Sequence, residues 1–315
     1  MKKDYWDITN RPHTKLKLEI FNKYLNSWCS IFEGQYWARD IYIVDCFAGR
    51  GFYRNGEDTI DGSPLIALKK AKVFQDKFRN RETKNKSRFK IKCIFIEKNK
   101  RHCKELEKIL KSFDDVDCKI VCGDFNQEIG SIIKEIGTNP ALFFIDPFGI
   151  KELKKEGIIP IIKKEGAKDI LLNYINEGVV RIGGLVKKCL VKRPEDITVK
   201  EIKTVKILED LLGEDGFLNC VDKKEKEILK YYIENIIKIG NDDKADKDKL
   251  EVIVFDMPYP HKSDTIYYLL FASRNKNALK IVRQVYAKSK EINFDGQRSL
   301  FRGKKQEKLN KDFKI

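Results

Sequence analysis

Asp45-Cys46-Phe47-Ala48-Gly49-Arg50-Gly51 follows the apolar run Ile41-Tyr42-Ile43-Val44. The run predicts a buried strand, and the stretch after it predicts a turn that cradles a nucleotide-like ligand. Two glycines one residue apart let the backbone take positive φ and lie close to a bound group. A dinucleotide fingerprint needs a third Gly or Ala three residues beyond Gly51, and Arg54 stands there. That argues against a nicotinamide-dependent oxidoreductase. An acidic residue four positions before Gly49 suits a cationic amino-acid cofactor better than a pyrophosphate. S-adenosylmethionine has that chemistry: an ammonium, a sulfonium and no phosphate. The competing reading is a tight strand-to-helix turn that binds nothing.

Working outward, Leu16, Ile20, Phe21, Tyr24, Leu25, Trp28 and Ile31 recur at helical spacing and predict a helix over 14–33. Residues 52–62 read as a polar loop, and Gly62-Ser63-Pro64 opens a helix with Ser63 as its cap. Strands are then predicted at 91–96, 119–122, 141–145 and 169–174, each separated by a helical stretch. The helix at 154–164 should be interrupted near Pro160. The strands are continuous apolar runs, as expected when helices cover both faces of a sheet. The pattern is that of an α/β, doubly wound, mostly parallel sheet.

After residue 175 the pattern breaks. Residues 176–249 are charged and mostly helical, with a turn or hinge expected at Gly183-Gly184. Strands at 251–257 and 265–273 then predict an antiparallel edge with the last strand inserted into the sheet, making seven strands. A closing helix follows over 277–290. The expected organisation is an α/β domain formed by 1–175 and 250–290, a helical insertion at 176–249 that recognises substrate or partner, and a basic tail at 291–315.

Four acidic residues end successive strands: Asp45, Glu97, Asp124 and Asp146. In an open parallel sheet the carboxyl ends of the strands form the ligand crevice, so these side chains should converge. Asp45, with the backbone of Phe47, Ala48, Gly49 and Gly51, would face the amino-acid part of the cofactor. Glu97, beside Lys98, would accept from the ribose hydroxyls. Asp124 would accept from the adenine amino group, with Phe125 stacked on the ring. Asp146-Pro147-Phe148-Gly149 would sit beside the transferable methyl. A tetrad of Asp or Asn, two prolines and an aromatic residue orients a planar amine through its first side chain and a following carbonyl. Here the aromatic residue, Phe148, has moved one place, which leaves Asp146 and the Pro147 carbonyl as acceptors and Phe148 to stack on a base. The plainer reading of a single acidic strand end is a helix cap.

Lys and Arg number 64 against 48 acidic residues, a formal net charge of +16, and this suggests a polyanionic partner, nucleic acid first. No apolar run approaches a membrane span and the first residues do not read as a signal peptide, so a cytoplasmic protein is expected. The eight cysteines form no C-x-x-C pair, and scattered reduced thiols without a metal site are expected. His13, His102 and His261 lie too far apart in sequence to suggest a metal set, and His102 reads as a surface residue.

With these residues in hand, the chain resembles the three-Cys-motif partner family. The resemblance lies in Lys15 to Trp28, Val44 to Gly51, Gly62-Ser63-Pro64-Leu65, Phe95-Ile96-Glu97, Phe143 to Gly149 and Tyr267 to Ala272. It implies a class I methyltransferase-like Rossmann fold and a protein partner bearing a three-cysteine motif that looks like a radical-SAM iron–sulfur site. The expected activity is S-adenosylmethionine-dependent methyl transfer to an exocyclic amine of an RNA or DNA base. The alternative is a non-catalytic subunit that keeps the fold and serves its partner.

Overall fold

The computed structural model describes residues 6–8, 11–32, 40–81, 90–214, 216–217, 223–239, 241, 245, 248–258 and 265–293. The expected basic tail lies almost wholly outside these residues, as does His261.

Helix α1 (Pro12–Phe32) opens on a proline, whose fixed φ suits a first helical position. It buries Leu16, Ile20, Phe21, Tyr24, Leu25 and Trp28 along one face. Strand β1 (Asp40–Asp45) runs to the glycine turn. Residues expected to form a loop instead make a hairpin, β2 (Phe52–Asn55) and β3 (Asp58–Asp61). Asn55-Gly56 is the signal for it: Gly56 takes φ +68°, which a two-residue hairpin loop requires of its first position. Then follow α2 (Ser63–Arg81), β4 (Lys90–Ile96), α3 (Lys100–Leu110), β5 (Asp117–Val121), α4 (Phe125–Ile136) and β6 (Ala141–Ile145). A short turn of helix at Ile150–Glu152 leads to α5 (Lys155–Lys163) and β7 (Lys168–Tyr174). Helix α5 runs through Pro160 without the expected break.

The main sheet has the order β5-β4-β1-β6-β7-β9-β8, with β8 at Glu251–Pro258 and β9 at Thr265–Ser273. The first five in that order are parallel, and β9 enters antiparallel to both β7 and β8. This is the class I methyltransferase-like arrangement. Strand β1 has β4 on one side and β6 on the other, so the chain reverses its direction of travel across the sheet at β1. A crevice opens at such a switch point, beyond the carboxyl ends of the strands.

Between β7 and β8 lie α6 (Asn176–Leu190), α7 (Val199–Leu212) and α8 (Glu225–Tyr232), the last continuing into a π turn at Ile233–Ile237. Gly183 and Gly184 sit inside α6 and make no hinge. Val186, Leu211, Leu229 and Tyr232 of these helices share one buried cluster with Tyr174, Val254 and Leu270 of the sheet. Helices α4 to α8 cover that face. The opposite face is covered by α1, α2, α3 and a closing helix α9 (Lys276–Asn293), with Phe21 stacked on Phe144 at 4.3 Å between ring centres. Tyr267 and Tyr268 are core residues.

Candidate functional site

The strand register brings the four acids to one rim. Asp45 lies opposite Phe95 of β4 and Phe144 of β6, so Glu97 and Asp146 each stand two residues beyond that level on either side. The Gly49 N–H donates to Glu97 Oε2 at 2.8 Å, which ties the end of β4 directly to the glycine turn. Asp124 lines the same cleft as Cys46, Phe47 and Glu97.

Asp45 is fully buried. Its Oδ1 accepts from the Phe47 N–H at 3.2 Å, and the Ser63 hydroxyl stands beside the carboxylate and favours its charged form. By distance, Oδ2 is buried without a partner. Burial pushes the carboxyl up to about 7, with Asp146 and Glu97 adding repulsion. Gly49 and Gly51 take φ +64° and +93°. A Cβ on Gly49 would stand 2.4 Å from the Trp6 ring, and one on Gly62 would strike the Gly51 carbonyl at 2.7 Å. Ala48 is buried and its N–H donates to the Ile96 carbonyl at 2.9 Å.

Glu97 is buried and also accepts from the Asn99 N–H at 2.7 Å, so both oxygens already hold backbone donors. Lys98 pairs with Glu152, whose other oxygen accepts from the Phe148 N–H at 3.0 Å. Asp124 Oδ1 accepts from Asn126 N–H at 2.9 Å and caps α4, the plainer of its two sequence readings. Phe125 is buried against Phe47, 5.0 Å between ring centres, and lines the cleft by its side. This cleft is narrow, with about 10 Å³ of free volume.

Phe47 and Phe148 separate that cleft from a second, polar one of about 350 Å³ lined by Arg11, Thr14, Lys17 and Asp146. Asp146 there is not an open acceptor. Its Oδ2 pairs with Lys17 Nζ at 2.5 Å, and its Oδ1 accepts from Asn173 Nδ2 at 2.8 Å. Asn173 Oδ1 is buried with no partner. Pro147 is buried behind the tetrad and Phe148 is half-buried. His13 lies nearby. Burial, with Lys17 and Arg11, holds it down to about 4, so it is neutral at physiological pH.

Sequence reasoning passed over Lys17, Glu152 and Trp6. Lys17 was legible: it occupies the buried stripe of α1, one turn before Phe21, where a lysine needs a carboxylate. His102, expected at the surface, has 16% side-chain exposure, lies 4.9 Å from Trp6 between ring centres and stands 3.6 Å from Glu97. Cys103 and Cys122, expected as free thiols, form a disulfide. One lies in the first turns of α3 and the other just past β5. Local spacing did not pair them, but β4-α3-β5 connectivity does.

The crevice is therefore that of a class I methyltransferase-like fold, with acids at each expected strand end. No protein-family model matches the chain, so the resemblance to the three-Cys-motif partner family rests on the quoted segments alone. No curated protein matches it either. Among solved structures it is similar to a Legionella pneumophila protein of the DUF519 family, with TM-score 0.48 and 10% identity over 93% of this chain and 96% of that one. It is similar to loganic acid methyltransferase with SAH, with TM-score 0.38 and 10% identity over 99% of this chain and 90% of that one. It is also similar to a putative methyltransferase, yhhF, from Escherichia coli, with TM-score 0.27 and 17% identity; the match covers 46% of this chain and 64% of that one. Likeness at these levels speaks to no residue and no reaction. The fold class follows from the strand order itself.

Proposed function

We propose that this protein is an S-adenosylmethionine-dependent methyltransferase acting on an exocyclic amine of a nucleic-acid base. The observation that carries the reading is Asp45: a fully buried carboxylate at the switch point, with one oxygen unmatched and a glycine turn folded in front of it. An unmatched buried oxygen costs free energy until a donor reaches it. A cofactor ammonium is such a donor, and the turn's positive-φ glycines leave room for backbone approach. S-adenosylmethionine, when bound, supplies an electrophilic methyl group. Asp45 and the turn would hold its amino-acid end, Glu97 the ribose, and Asp124 with Phe125 the adenine.

On the substrate side, the Pro147 carbonyl and the unmatched Asn173 Oδ1 are the acceptors left for a planar amine. Lys17 pairs with Asp146 and Asn173 bonds its other oxygen, so Asp146 positions the amide that receives the substrate. Positioning of this kind supplies much of the rate in an in-line transfer. The net charge of +16 supports a nucleic-acid substrate, with the insertion at 176–249 as recognition module and the tail at 291–315 contacting phosphates. The test is tritium transfer from labelled cofactor to RNA and DNA. Asp146→Ala and Asn173→Ala should each lower transfer by about 100-fold; undiminished transfer in both would remove this wall of the crevice from the mechanism.

One observation favours a second reading. Asp146 is neutralised by Lys17 and the Trp6 ring rests on the glycine turn, both of which suit a non-catalytic subunit of a three-Cys-motif protein. Calorimetry separates the two: no binding of S-adenosylmethionine at millimolar concentration selects the subunit reading.

A further inference from the structure

A cavity lies at the opposite rim of the sheet, far from the glycine turn. It offers about 200 Å³ beside the amino ends of β6 and β7. Trp28, Ile31 and Phe32 from the last turns of α1, with Pro140 and Ala167, make its walls apolar. Arg274, immediately after β9, reaches into the same space, and its Nε is buried with no hydrogen-bond partner.

The charge around that guanidinium is unbalanced. Lys164 Nζ donates to the carbonyls of Asn139 and Glu165, each at 2.7 Å, and Lys168 Nζ donates to those of Ile162 and Lys164. These lysines satisfy backbone at the end of α5, which accounts for their positions. It does not account for Arg274. The acid lining the cavity, Asp169, is already engaged by the Tyr24 hydroxyl at 2.6 Å and by Ser273, and burial raises its pKa toward neutrality. Arg274 and Lys164 also repel each other, and burial with that repulsion lowers Lys164 to about 8.

We infer that this cavity is a second binding site, for a small organic anion with a flat apolar body, such as an aromatic carboxylate. The walls would take the apolar body and Arg274 its charge, in a charge-assisted bond stronger than a neutral one. The site is independent of the crevice at the other rim and stands whether or not methyl transfer occurs there.

The test is a fluorescence titration of the full chain with 1-anilinonaphthalene-8-sulfonate, displaced by 4-phenylbutyrate. Saturable one-to-one binding is expected, weakened about tenfold or more in Arg274→Met, which is about 1.4 kcal/mol. Arg274→Lys should retain most of the affinity, and Ala167→Phe should abolish binding by filling the wall, with an unchanged circular dichroism spectrum confirming that each variant folds. Neutral 4-phenylbutanamide should displace the probe at least about tenfold less well than the acid. Binding that is equal in Arg274→Met, or that is displaced by S-adenosylhomocysteine, would overturn the inference, as would an absence of saturable binding.

Discussion

The two rims of the sheet gather different buried groups. At the carboxyl rim Asp45, Glu97, Asp124 and Asp146 gather around the glycine turn; at the amino rim Lys164, Lys168 and Arg274 gather around Pro140 and Ala167. Helix geometry explains part of the division. The helices begin at the first rim, where their N–H groups favour carboxylates, and end at the second, where their carbonyls favour ammonium groups. Asp124 at the start of α4 and Lys168 at the end of α5 are satisfied in this way. The remainder is instructive because it is not. Asp45 Oδ2 and Arg274 Nε are each buried without a partner, one on each rim. Burial pushes Asp45 up to about 7 and Lys164 down to about 8, so each rim holds a charge that its surroundings resist. Helix ends account for the paired groups; the unpaired ones are those on which the two proposed binding sites rest.

The sharpest way to break this contrast is at Lys17. Lys17→Met leaves the half-buried Asp146 without its cation and should cost about 3 kcal/mol. The drop in melting temperature checks it, and Lys17→Met with Asp146→Asn should recover most of the loss. Next is Asp45→Asn. A carboxyl whose pKa is raised from 3.8 to about 7 binds protons better in the folded state, so its contribution to stability falls as pH rises through that window. At pH 8 the variant should therefore be more stable than the parent, on the order of a few kcal/mol, while losing affinity for S-adenosylmethionine. Chemical denaturation at pH 4 and pH 8 measures the first effect; a stability gain equal at both would refute the assignment of the shift. Calorimetry in two buffers sharpens it further, since cofactor binding near pH 6 should release a proton from Asp45.

Smaller effects test the helix-end part of the account. Asp124→Ala removes the cap of α4 and should cost about 1 kcal/mol. Gly56→Ala meets no atom within 4 Å yet must adopt φ +68°, so a loss of about 1 kcal/mol isolates backbone strain in the hairpin. A melting curve unchanged by Gly56→Ala would mean that the turn relaxes.

Much of this arrangement was legible in the sequence. The five apolar strands, the acids that follow four of them and the inserted last strand were all present as local patterns. Asn55-Gly56 was an equally local signal for β2 and β3, obscured by the polar character of the residues around it. What could not be read was pairing between distant segments. The Lys17–Asp146 contact joins α1 to β6 across 129 positions of sequence, and only the stripe position of Lys17 hinted that a partner was required. Cys103 and Cys122 became neighbours through strand order. Glu152 carried no mark at all, since its role depends on the turn that places it under Phe148 and beside Lys98.

The Arg54 N–H donates to the Trp6 carbonyl at 2.7 Å and the Ile8 N–H donates to the Arg54 carbonyl at 2.8 Å, and the Trp6 ring packs on Gly49, His102 and Phe148. The molecule thus carries an intrinsic fluorophore beside its crevice, while Trp28, 2% exposed, lies at the other rim. A red shift in emission on adding a nucleoside, absent in Trp6→Phe, would report the door swinging open without any label attached.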